Sequence, residues 1–194
     1  MKTRHVLTGV LFLLGCSPAM ATEEPAYRLV EKSGAFEIRD YGRITIAETR
    51  VTEDFDSAGN QAFGTLFSYI SGRNRPKQKI AMTAPVMQQA QTDGSYLVGF
   101  IAPAQYSLQT APAPLDGSVQ LRELPPQRMA VIRYSGRWTE RNYREHEVQL
   151  LAQLKARSLS AAGPVVYARY NAPFVPWPMR RNEVMVPVLA VDGH

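Results

Sequence analysis

The sequence predicts an α+β fold in which two strand-strand-helix-strand-strand units pair into a distorted antiparallel eight-stranded barrel with two flanking helices. Three observations predict it. Apolar and polar residues alternate through Phe36–Tyr41, the period of a half-buried strand. After Asp54 the period changes to that of a helix face. The same order of elements then returns in the second half, where Leu121, Arg122 and Glu123 correspond to Ile38, Arg39 and Asp40.

In chain order, Gly42 and Arg43 turn the chain after the first strand, and Ile44–Val51 continues as the second. Phe63, Leu66, Phe67 and Ile70 fall at i, i+3, i+4 and i+7, with Asp54 or Asp56 as N-cap and Gly72 as stop. Gly59 and Gly64 each weaken this helix by about 1 kcal/mol relative to alanine, so packing must hold it. A basic loop (Arg73, Arg75, Lys77, Lys79) leads to strands at Ile80–Gln88 and Tyr96–Ala102. The proline-containing stretch Pro103–Gly117 links the halves.

The second unit opens with strands at Val119–Leu124 and Arg128–Tyr134. A helix over Thr139–Arg157 has Thr139 as N-cap and Tyr143, Glu147, Leu150 and Leu154 along one line. Strands at Val165–Asn171 and Glu183–Leu189 finish it. One such unit leaves a sheet face and two edges open; pairing two about a pseudo-twofold axis covers the faces and closes the edges.

With 194 residues the chain suits one domain, and 45% hydrophobic against 20% charged residues is the composition of an ordered one. Residues 1–21 have the parts of an export signal: basic Lys2 and Arg4, an apolar run Val6–Leu14, and small residues after Pro18. Ala19-Met20-Ala21 offers one cleavage site. Leu13-Leu14-Gly15-Cys16 resembles a lipobox, in which the signal ends at residue 15 and a lipidated Cys16 tethers the domain to the outer membrane. Either way the domain, residues 25–191, is expected to be periplasmic or outer-membrane-anchored.

Cys16 is the only cysteine, which excludes an intrachain disulfide and cysteine-based metal sites. Setting Lys2 and Arg4 aside leaves 20 basic against 17 acidic residues, and no basic stretch is interleaved with aromatics. Nucleic acid is therefore not an expected partner. Catalytic patterns are also missing. Glu145-His146-Glu147 lacks the second histidine of H-E-x-x-H, and there is no G-x-S-x-G elbow or phosphate-binding glycine loop. The expectation is a binding protein and no enzyme.

Two segments resemble a known family. Lys79-Ile80-Ala81-Met82-Thr83-Ala84-Pro85-Val86 is similar to the Met-Thr-x-Pro-Val signature of SOUL haem-binding proteins. Tyr170-Asn171-Ala172-Pro173-Phe174 with Arg180-Arg181-Asn182-Glu183-Val184 resembles the C-terminal signature, spaced as in plant and bacterial members. The resemblance runs from Tyr27 to Val188. It implies a duplicated barrel and non-covalent binding of haem or a related porphyrin, in carriage or buffering. It also implies a pocket along the first helix, near the loop before the last strand, at Asn60, Phe63, Phe67 and Ser68, extended by Ile70. Animal members carry basic residues at the positions of Asn60 and Ser68; here Arg73, Arg75 or Lys77, just past the helix, stand in as partners for propionates.

The apolar stripe has two readings: the core face of its helix, or the floor of a pocket if it is wider than the sheet it covers. His146 is the candidate iron ligand, with Met82, Met87 and the terminal His194 as further candidates. Arg180, Arg181 and Glu183 read either as a ligand rim or as a structural knot under Trp177.

Overall fold

The computed structural model describes residues 22–189. The export signal, Cys16 and His194 lie outside the described residues. Nine strands and two helices run in the order β1 (Tyr27–Ser33), β2 (Phe36–Tyr41), β3 (Ile44–Val51), α1 (Phe55–Ile70), β4 (Val86–Ala90), β5 (Tyr96–Ile101). The second half supplies β6 (Val119–Leu124), β7 (Gln127–Tyr134), α2 (Glu140–Ala156), β8 (Val166–Arg169) and β9 (Asn182–Pro187).

The strands form one antiparallel sheet in the order β1-β2-β7-β9-β8-β4-β5-β3-β6. Exchanging β2–β5 with β6–β9 turns the order from β2 to β6 into its own reverse, as a pseudo-twofold axis between β8 and β4 requires. Tyr41 of β2 and Leu124 of β6 line one cavity although their strands stand near opposite ends of the order, so the sheet curls into a half-barrel.

Two expectations need correcting. The sheet has nine strands, because β1 pairs with β2 from Tyr27↔Tyr41 to Ser33↔Phe36. Every β1 residue is exposed, so the strand carries no alternation of burial to reveal it. It covers the β2 edge, whereas among the described residues no strand covers the symmetry-related β6 edge or closes the barrel. Second, the predicted strand at Ile80–Gln88 enters the ladder only at Val86. Ile80 instead packs beneath α1, its N–H donating to the Ile70 carbonyl (2.8 Å), and Pro85 has no N–H to give.

Both helices cover the same face of the sheet. Phe36, Ile132, Val184, Tyr167, Gln88, Val98 and Val119 lie in one row across it through successive strand pairings. α1 packs on Ala47, Val98 and Phe100, and α2 on Ala130, Ile132 and Val186. The opposite face carries a smaller cluster of Tyr41, Met129, Val131, Val166 and Met185.

Asp54 is the N-cap of α1, its carboxylate accepting from the Ser57 N–H (2.9 Å). The buried side of α1 is Phe55, Ala58, Gly59, Ala62, Leu66, Tyr69 and Ile70. The Arg169 guanidinium, bonded to Gln88 (2.8 Å), lies where a Cβ on Gly59 would sit, so this glycine admits a close approach. In α2, capped by Thr139, Tyr143, Leu150 and Leu154 are buried. Glu147, in line with them, instead accepts from the Tyr167 hydroxyl (2.8 Å).

Candidate ligand-binding site

Helix geometry separates the predicted apolar stripe into two parts. Leu66 and Ile70 are core residues, 0% and 7% exposed, while Phe63 and Phe67 are 37% and 48% exposed. The stripe is thus wider than the sheet it covers. The two phenylalanine rings stack with centroids 5.6 Å apart and planes 12° from parallel, and Phe63 meets Phe100 of β5 edge-on. Asn60 is exposed and Ser68 half-buried on the same helix.

The loop after α1 is folded by Asn74, which is fully buried. Its amide donates to the Tyr69 and Gln78 carbonyls (3.0 and 2.7 Å) and accepts from the Gln78 N–H (2.9 Å). That leaves Arg73, Arg75, Lys77 and Lys79 exposed, and none takes part in an ion pair among the described residues. Arg73 lies close enough to Asp116 to help hold its carboxyl below the usual range, after the larger effect of hydrogen bonds from Ser118. Tyr69 is not a free ligand. Burial pushes its phenol up to about 12, and its hydroxyl donates to the Pro112 carbonyl (2.8 Å), fastening the linking segment to α1.

The structure brings Phe63, Phe67, Asn60 and Ser68 onto one helix, followed by Arg73 and Lys77, but places His146 elsewhere. His146 lies on α2, stacked on Tyr134 of β7 at 3.7 Å, with Nδ1 bonded to the Asn142 carbonyl (2.7 Å). That bond assigns the proton to Nδ1 and leaves Nε2 free. Met82, two residues past buried Ile80, is 38% exposed. Among the described residues no group of three or more His, Cys, Asp or Glu is arranged to hold a metal ion.

Alternation alone did not reveal a second feature. On the sheet face away from the helices is a recess of about 490 Å³, lined by Ile46, Met87, Leu97, Leu124, Met129 and Val166 among others. Its polar lining is Gln88, Gln89, Gln127, Arg122 and Glu48, which accepts two bonds from Arg122 (2.8 Å each). The strands show which residues face this side, but whether they fill the space depends on how tightly the sheet curls.

The C-terminal polar knot is structural at its centre. Fully buried Glu183 accepts from Arg39 (2.8 and 3.0 Å), Arg181 (3.0 Å) and the Tyr170 hydroxyl (2.7 Å). Trp138, not Trp177, is the tryptophan that packs there: its indole N–H donates to Asn182 (2.8 Å) and Arg180 lies over its ring at 4.1 Å.

Comparison with known proteins gives this geometry a family. The chain is 29% identical to human "Heme-binding protein 2" over 178 residues, 86% of each chain. It is 32% identical to mouse "Heme-binding protein 1" over 136 residues, 66% of this chain and 70% of that one. Among solved structures the EcmrR C-terminal domain superposes with a TM-score of 0.63 at 9% identity, over 85% of this chain and 99% of that one, a likeness of fold alone. The SOUL heme-binding protein family matches residues 22–187, nearly all of the described domain. By that match and by the duplicated half-barrel, the chain belongs to the SOUL heme-binding protein family.

Proposed function

We propose that this protein binds haem or a related porphyrin non-covalently along α1, as an exported carrier or buffer, without catalysis. The observation that carries the reading is the stacked, solvent-facing pair Phe63 and Phe67 on the helix that leads into a loop of exposed cations. The pair fits the edge of a porphyrin: two near-parallel, stacked rings present solvent-facing apolar surface whose burial favours binding. Arg73 and Lys77, beyond the helix C-terminus, fit the carboxylates of such a ligand. When bound, the haem would supply an iron centre that accepts an axial donor. With His146 stacked on β7, the α1 face binds by apolar contact and charge rather than through a histidine. Export rests on the signal-like residues 1–21, in which a site after Ala21 and a lipobox-like run ending at Cys16 are the two alternatives for cleavage.

Titrating the protein with haemin is expected to give a saturable Soret change. The Phe63→Ala/Phe67→Ala double variant should bind about tenfold more weakly or worse. Both side chains are more than a third exposed, so the variant should keep its fold. A Soret change no different from that of a non-binding protein of similar charge would end the proposal.

A second reading has its own observation. The recess behind the sheet, mostly apolar but with the Arg122–Glu48 pair and three glutamines in its lining, suits an amphipathic molecule other than haem. A non-porphyrin ligand recovered with the protein from its own cells, and lost on Leu97→Trp, would favour it.

A further inference from the structure

The segment joining β8 to β9 turns apolar side chains toward solvent. Phe174 is 88% exposed, Met179 74% and Trp177 48%. An apolar tip of this kind is costly in water and normally marks a surface that is covered in use.

The tip is held out rather than loose. Arg180 reaches back through the loop, its Nε donating to the Val175 carbonyl (2.8 Å) and an Nη to the Pro173 carbonyl (2.7 Å). The Trp177 carbonyl accepts from the Gly136 N–H (3.1 Å), and Trp177–Met179 closes a short 3-10 turn. Pro173, Pro176 and Pro178 restrict the backbone further. With the Pro173, Val175 and Trp177 carbonyls satisfied from inside, those groups do not add to the cost of entering a less polar medium.

Positive charge surrounds the tip. Arg137 is exposed, with its guanidinium over the Trp177 ring at 5.4 Å. Next to Met179 is a polar recess of about 290 Å³, lined by Lys32, Arg133, Arg180 and Arg181 with Glu37 as its one carboxylate. Lys32 is paired with Glu37 (2.7 Å), and Arg181 with Glu24 and Glu183 (2.8 and 2.9 Å). Exposed Arg133 forms no ion pair among the described residues. The recess therefore has cations beyond what its carboxylates balance.

We propose that the Phe174–Met179 tip and the basic recess behind it form a docking surface for a membrane containing anionic phospholipid. Phe174, Trp177 and Met179 enter the interfacial layer, and the exposed Arg133 and Arg137 meet lipid phosphates. Tryptophan and its neighbouring arginine suit that layer, where one end of a side chain is apolar and the other wet. Charge complementarity selects a lipid surface over an apolar protein groove. The proposal assigns the β8–β9 connection to lipid, and the haem reading is tested apart from it by the Phe63→Ala/Phe67→Ala variant on α1.

The test is co-sedimentation of the full-length chain with vesicles of phosphatidylcholine alone and of phosphatidylcholine with phosphatidylglycerol. Binding is expected to the anionic vesicles and to weaken as salt rises. Phe174→Ala should reduce it about tenfold, and Arg133→Ala about fivefold. Vesicles should shift Trp177 emission to the blue, a shift absent from Trp177→Phe. Phe174 and Arg133 are exposed, so neither substitution threatens the fold. Undiminished binding by Phe174→Ala would assign membrane affinity to residues 1–21 and overturn the proposal. So would no preference for anionic vesicles, or a dimer in sedimentation velocity that Phe174→Ala dissolves.

Discussion

Glu183→Gln is expected to destabilise the protein by about 3–5 kcal/mol, read as a lower urea midpoint and a melting temperature lower by about 10 °C. The expectation follows from what Glu183 holds. Arg39 and Glu183 are 1% and 0% exposed and share two hydrogen bonds, while Tyr170 and Arg181 donate to the same carboxylate. Glutamine presents an amide N–H₂ to these donors and withdraws the counter-charge of a guanidinium shut away from water. The remaining Glu37 contact (2.7 Å) is made to a different edge of Arg39 and is shared with Lys32. Arg39→Met should cost a similar amount, and the double variant less than the sum, because one stranded charge is removed along with its partner. A loss below about 1 kcal/mol in Glu183→Gln would show that the pair is not a load on the fold.

The same cluster gives stability a direction with pH. Burial raises the Glu37 carboxyl, but hydrogen bonds from Lys32 and Arg39 outweigh it and leave its pKa below the ordinary value. A carboxylate depressed in the folded state contributes stability above its unfolded pKa and loses it as pH falls through the folded one. Stability should therefore decline on acidification through the carboxylate range. Glu37→Gln should flatten that decline; an unchanged slope in urea midpoints against pH would contradict the assignment.

Much of this architecture was legible in the sequence because its signals were periodic. The alternation of Phe36–Tyr41 located β2, the i, i+3, i+4 spacing located both helices, and the sequence offered Thr139 and, with Asp56, Asp54 as N-caps. The correspondence of Ile38–Asp40 with Leu121–Glu123 anticipated the pseudo-twofold strand order. β1 was not legible, since a wholly exposed edge strand has no apolar period, and its partner strand supplies the register. The α1 stripe was half legible. Spacing placed Phe63, Leu66, Phe67 and Ile70 on one side, but only the position of β3 and β5 beneath the helix decides which two are buried. The recess opposite the helices was not legible at all, because it depends on curvature that no local pattern records.

Phe55→Ala should cost about 3–5 kcal/mol, whereas Phe63→Ala, two turns along the same helix, should change stability by less than about 1 kcal/mol. Phe55 is 2% exposed and packs into the cluster under α2 although it belongs to α1. Its ring meets Tyr96, Tyr143 and Tyr167 at centroid distances of 5.7, 5.2 and 5.1 Å, one from the first half and two from the second. Its carbonyl also accepts from the Gln88 side chain (3.0 Å). Removing that ring opens a cavity where the two repeats meet, and three tyrosines cannot all move inward to fill it. Phe63 faces solvent on one side, so truncation there leaves no cavity and removes apolar surface that a ligand would cover. The pair thus separates holding the halves together from holding a ligand. Urea unfolding and haemin titration of both variants should give opposite rankings: Phe55→Ala the less stable, Phe63→Ala the weaker binder once each is compared under folded conditions. If both lose stability alike, Phe63 belongs to the core and α1 has no apolar face to spare for a porphyrin.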